Sequence, residues 1–201
     1  MKMNLPNKVT LLRIGLIPVF LVIYLVQPFH EIVNLWLAMV VFIIASITDA
    51  IDGHLARKYK LVTNFGKLID PLADKLLICS ALVAFVYTGS LNGQLSAWAV
   101  IILIGREFYV SGLRLIALEQ GKVLPALKGG KLKMGLQIAL IVVVLLPMQM
   151  LDLIPIQFFW FEWLFILHRW SVWILLALAT IVSVMSAIDY TVKNKDVLVK
   201  Q

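Results

Sequence analysis

Charge is scarce in this chain, and cysteine scarcer still. Of 201 residues only 14% are Asp, Glu, Lys or Arg, against roughly 25% in an ordinary soluble domain. The single cysteine, Cys79, lies in an apolar run, which excludes an intramolecular disulfide and leaves the redox compartment open. His30, His54 and His168 show no zinc-ligand spacing and suit interfacial positions. No polar stretch is long enough to form a soluble domain between the apolar runs, and no internal repeat is evident, so residues 1–201 read as one domain. What is abundant is hydrophobic: 62% of the residues, with a mean hydropathy of +0.97, the composition of a membrane protein. The formal charge of +7 sits in short segments between apolar runs, which favours anionic lipid headgroups and phosphorylated substrates over nucleic acid.

The expected fold is all-α and polytopic, with six transmembrane helices over about residues 9–27, 32–58, 64–89, 95–118, 130–151 and 169–191. The first run lacks a small-residue cleavage site and reads as a retained helix rather than a signal peptide, with Asn4-Leu5-Pro6-Asn7 as the turn leading into it. Basic residues gather at the N-terminus, around Arg57 to Lys67, around Lys122 to Lys133, and at the C-terminus. The intervening connections carry almost none, so the positive-inside rule predicts both termini in the cytoplasm. Phe158 to Phe165 form an aromatic fifth connection suited to lying in the outer interface, with Arg169 near its end.

Four aspartates interrupt this apolar pattern. Asp49 and Asp52 close the second helix, and Asp70 and Asp74 open the third. At 100° per residue, the first pair is separated by roughly 60° and the second by roughly 40°, so each pair shares a helix face. A short connection makes the two helices antiparallel neighbours, and both pairs fall at one depth. Uncompensated carboxylates in an apolar span are costly, so something must neutralise them. Clustered oxygen ligands suit hard cations such as Mg²⁺, Mn²⁺ or Ca²⁺, and two divalent ions would balance four carboxylates. Structural salt bridges to Arg57, Lys58, Lys67 and Lys75 are the alternative. Gly53 and Ala56 remove side-chain bulk beside the acids, which suits either close helix packing or a flat ligand.

Residues 49–74 spell D-x2-D-G-x2-A-R-x8-G-x3-D-x3-D, filled by Asp49, Asp52, Gly53, Ala56, Arg57, Gly66, Asp70 and Asp74. The pattern resembles the signature of the CDP-alcohol phosphotransferase family. Three further segments resemble its bacterial branch that uses glycerol 3-phosphate: Asn4 to Asn7 with Thr10 and Arg13; Gly105-Arg106-Glu107 with Ser111 to Arg114; and Gly130 to Lys133, where Met134 replaces the usual threonine.

The resemblance implies a cell-membrane enzyme, active site facing the cytoplasm, that moves a phosphatidyl group from CDP-diacylglycerol to an alcohol. Asp49, Asp52, Asp70 and Asp74 would hold two Mg²⁺ or Mn²⁺ ions, and Asp74 would also serve as general base. The CDP moiety would meet Asn7, Thr10, Asp49, Asp52, Gly53, Ala56 and Arg57. For the acceptor, Arg106, Arg114, Lys131 and Lys133 could bind the phosphate of sn-glycerol 3-phosphate. Glu107 stands seven residues before Arg114 on the same helix face, so a structural ion pair between them is the competing reading; the lysines could equally be topology charges. A homodimer is also implied, with membrane lipids as further partners. Other acceptors (inositol phosphate, serine or phosphatidylglycerol), a membrane prenyltransferase and a metal-ion transporter are the rival readings.

Overall fold

The structure, a computed structural model, describes residues 5–59, 64–91, 94–122, 124, 128–147 and 159–195; the side chains of residues 5–9, 49–59, 64–72, 74, 94–95, 128 and 159–162 lie outside that description. The described residues form six α-helices and no strand: α1 (Leu5–Leu21), α2 (Glu31–Tyr59), α3 (Asn64–Thr88), α4 (Gln94–Glu119), α5 (Lys128–Leu145) and α6 (Phe159–Lys193). A single π-helical turn, Val22–Val26, extends α1.

Two groups of helices make the bundle. α1 packs along both α2 and α3, which also touch each other, while α6 packs against α4 and α5. α5 meets α2 and α3, and α4 meets α3, closing the two groups on one another. Phe20, Tyr24, Phe42 and Phe85 fill the centre of the first group, with the Phe20 and Tyr24 rings stacked at 5.9 Å and Tyr24 edge-on to Phe85 at 5.2 Å. The Tyr24 hydroxyl, inside the π turn, is 2.7 Å from Ser90 Oγ and 3.0 Å from Thr88 Oγ1, which ties the end of α1 to the end of α3. After it, Gln27 takes a left-handed conformation (φ 52°), and the Asn34 side chain bonds both backbone groups of Phe29 to start α2.

The outer surface is apolar. Along α6, Trp170, Ile174, Leu178, Ile181, Met185 and Ile188 recur every three or four residues and are all exposed, as Trp36, Val40, Ile44 and Ile47 are on α2. A stripe of this size has no place in water. Two of the described helices, over Glu31–Thr48 and Trp163–Lys193, are long and apolar enough to cross a membrane, and Thr10–Val26 and Lys75–Thr88 are shorter apolar stretches.

The sixth helix begins earlier than the sequence pattern suggests. The aromatic segment expected as an interfacial connection is, from Phe159 onward, the first turns of α6, and Arg169 lies inside that helix rather than before it. Aromatic composition fixes the depth at which a segment settles but not whether it lies flat or continues a helix. At 35 residues, α6 is roughly 52 Å long, more than the roughly 40–45 Å of a whole bilayer. His168 joins this end to α5, its Nε2 donating to the Val143 carbonyl at 2.8 Å. The fifth helix ends at Leu145 rather than 151, and residues 148–151 of the expected span lie outside the described residues.

Candidate active site

The backbone puts Asp49 and Asp52 in the last turns of α2, and Asp70 and Asp74 in the early turns of α3. Their side chains, with those of Asn7, Gly53, Ala56 and Arg57, lie outside the described residues. α1 reaches both helices and presents Thr10 and Arg13 as buried polar residues, 2% and 0% exposed. Arg13 was noted in the sequence only as part of the first segment. A guanidinium removed entirely from solvent requires anionic or polar company.

Next to the aspartate-bearing turns lies a cluster of cations from α4 and α5. Lys75, which directly follows Asp74 on α3, donates to the Ser111 hydroxyl on α4, and that hydroxyl donates in turn to the Glu107 carbonyl at 2.6 Å. One turn away, the Glu107 carboxylate pairs with Lys133 of α5 and lies 3.7 Å from Arg106 Nη1. All three side chains are largely buried, at 9% for Arg106, 13% for Glu107 and 6% for Lys133. Arg106 Nη2 donates to Ser186 Oγ on α6 at 2.9 Å. Two turns along α4, Arg114 donates from Nε to the Tyr190 hydroxyl at 3.2 Å, with its guanidinium 5.5 Å from the centre of that ring.

Of the four residues expected to bind an acceptor phosphate, the structure therefore joins Arg106 and Lys133 through Glu107, sets Arg114 further along the same helix, and leaves Lys131 exposed on another face of α5. Glu107 pairs with Lys133 and Arg106 rather than with Arg114, the partner in the competing reading, whose contact is Tyr190. Sequence reasoning missed Ser186, and left Tyr190, which is 2% exposed and anchors a small cluster with Val110 and Leu113, open between a cytoplasmic anchor and a pocket edge. Their four-residue spacing on the last helix was the available signal. A separate apolar groove of about 880 Å³, lined by Phe165, Trp170, Trp173 and Arg169 among others, is centred roughly 25 Å along α6 from this cluster and carries none of its chemistry.

Arg106, Glu107 and Lys133 thus form a largely buried charged cluster where α4, α5 and α6 meet, with the exposed Arg114 further along α4. Residues 3–185 match the family model described as CDP-alcohol phosphatidyltransferase, so the chain belongs to that family, as the pattern across residues 49–74 suggested. A Bacillus subtilis protein named CDP-diacylglycerol–glycerol-3-phosphate 3-phosphatidyltransferase is 46% identical over 165 residues, covering 77% of this chain and 83% of the relative. A Rickettsia typhi protein of the same name is 39% identical over 135 residues, 67% of this chain and 71% of the relative. A probable phosphatidylglycerophosphate synthase of Mycobacterium tuberculosis H37Rv is 41% identical over 145 residues, 72% and 67% of the respective chains.

Proposed function

We propose that this chain transfers the phosphatidyl group of CDP-diacylglycerol to the hydroxyl of sn-glycerol 3-phosphate, giving phosphatidylglycerophosphate and CMP. Family membership and the names of its relatives support the reaction. The observation that carries the acceptor is the cation cluster: Arg106, Lys133 and Arg114 with Glu107 leave two net positive charges. A phosphate monoester carries nearly two negative charges at neutral pH, whereas serine would leave the cluster unbalanced; inositol phosphate bears the same group and is told apart by the assay.

In this reading the donor's diphosphate meets the aspartate helices, with the cytidine against Gly53, Ala56 and Arg57 and with Asn7 and Thr10 at its edge. Asp49, Asp52, Asp70 and Asp74 are a donor set of oxygen ligands suited to two Mg²⁺ or Mn²⁺ ions. Bound there, such ions would polarise the diphosphate and stabilise the departing CMP. Asp74 accepts the proton of the attacking hydroxyl. The Lys75–Ser111 bond, which holds α3 just past Asp74 against α4, supports a base that adjoins the acceptor's phosphate site. Arg106, Lys133 and Arg114 hold that phosphate and thereby orient the hydroxyl, converting a bimolecular encounter into a positioned one. The six helices cross the membrane with both termini in the cytoplasm, where the reaction takes place, and the enzyme acts as a homodimer.

The test is CMP release by the purified chain in detergent, supplied with CDP-diacylglycerol and Mg²⁺ or Mn²⁺. Glycerol 3-phosphate is expected to drive release, with Asp74→Asn slowed about 10²- to 10⁴-fold. Release driven instead by inositol phosphate, serine or phosphatidylglycerol would retain the family and refute the acceptor; no release with any of them would reopen a transport role.

A further inference from the structure

Arg106 is held before any acceptor arrives. Its Nη2 donates to Ser186 Oγ at 2.9 Å, its Nη1 lies 3.7 Å from Glu107, and its buried Nε has no hydrogen-bond partner among the described residues. A buried donor left open beside one that is hydrogen-bonded and one held only at ion-pair distance marks the edge at which a ligand completes the set. Ser186 belongs to α6 and is 7% exposed. It fits because Gly129, in the first turn of α5, has no side chain: a Cβ there would stand 3.2 Å from Ser186 Oγ and 3.3 Å from its Cβ. Glycine weakens a helix relative to alanine, so its presence at this contact has a local use. The neighbouring Gly130 has open space where a Cβ would be added, so crowding alone does not call for glycine at that position.

We propose that Ser186 is a positioning residue for the acceptor site: it fixes the Arg106 guanidinium so that Nε faces the acceptor's phosphate, and Gly129 is the gap that keeps the serine in register. Ser186 itself does not touch the acceptor. The inference rests on the glycerol 3-phosphate reading and adds a third helix, α6, to the determinants of acceptor affinity. An arginine has several rotatable bonds, and anchoring one corner of its planar fork removes much of the freedom lost on binding.

The experiment measures KM and kcat for glycerol 3-phosphate, KM for CDP-diacylglycerol and inhibition by inorganic phosphate, in the full-length enzyme and in Ser186→Ala, Gly129→Ala and the double variant, with thermal midpoints taken on each. Ser186→Ala is expected to raise KM for glycerol 3-phosphate and the inhibition constant for phosphate together, about tenfold, one hydrogen bond to a charged group. kcat and KM for CDP-diacylglycerol stay within about twofold. Gly129→Ala moves the same two constants, and the double variant is no worse than Ser186→Ala, because both changes act through one contact. Unchanged phosphate and glycerol 3-phosphate constants in Ser186→Ala overturn the proposal while leaving the acceptor reading intact. So does an equal loss across both substrates with a lowered midpoint, which is the mark of packing alone. If the unaltered enzyme ignores glycerol 3-phosphate, the acceptor reading fails first and takes this inference with it.

Discussion

Glu107 faces two cations at once, and what happens on removing each charge separates a structural ion pair from a phosphate site. Its carboxylate pairs with Lys133 and stands near Arg106, with each side chain at most 13% exposed. Glu107→Gln keeps the shape but leaves Lys133 with a weaker, uncharged acceptor, so stability is expected to fall by about 2 kcal/mol. The same change raises the net charge of the cluster, so binding of glycerol 3-phosphate should be maintained or tightened. Lys133→Gln removes a cation from the acceptor side and is expected to raise KM for glycerol 3-phosphate at least tenfold. Thermal unfolding and steady-state kinetics on the pair check this; equal kinetic effects from both variants would make the lysine purely structural. The partner of Glu107 was the part of the cluster the sequence hid. Helical periodicity relates residues on one helix, and so suggested Arg114, whereas the actual partner Lys133 comes from another helix that no spacing argument can reach. Arg106 was legible as a charged residue that must turn inward, because charge inside an apolar run is conspicuous, whereas Lys133 read equally well as a loop charge.

Helix number and order were also legible, since each apolar run is one element, and five of the six observed starts fall within four residues of expectation. The exceptions concern how a helix ends. α6 starts ten residues early because its aromatic beginning has no cap or breaker to distinguish it from an interfacial loop. The π turn at Val22–Val26 was equally hidden, although it sets the Tyr24 hydroxyl between Thr88 and Ser90. This gives a prediction at the level of the element. Tyr24→Phe retains the stacking with Phe20 and the edge contact with Phe85 but removes the polar tie between α1 and α3. Stability is expected to drop by about 1–2 kcal/mol, with kcat unchanged because the tie lies at the end of α3 remote from Asp74. A thermal midpoint equal to that of the unaltered chain would mean that the hydroxyl contributes nothing to joining α1 and α3.

Across the whole molecule, α6 supplies a ruler for the membrane. Arg169 and Asp189 are 20 residues apart on this one helix, roughly 30 Å, which is the thickness of the hydrocarbon core. Between them the helix carries no Asp, Glu, Lys or Arg, and its outward face is apolar. A boundary near Asp189 places Arg114, Tyr190 and Thr191 at one interface, with the Lys193–Asp189 pair at 2.8 Å just beyond it. The opposite boundary, near Arg169, puts the aromatic first turns of α6 in and beyond the other interface, together with the short α1–α2 connection around Phe29. In the proposed orientation, with both termini in the cytoplasm, the Asp189 side would face the cytoplasm, as positive-inside bias favours. The chain lends itself to a direct check because Cys79→Ser removes its only thiol. In that background, Phe29→Cys, at a position 60% exposed, is expected to react with a membrane-impermeant maleimide on intact spheroplasts. Lys195→Cys, just past the end of α6, should react only after the membrane is opened. The reverse pattern would turn the molecule over and place the aspartate-bearing ends of α2 and α3 outside, contrary to the proposed cytoplasmic site, so the proposed topology would fall.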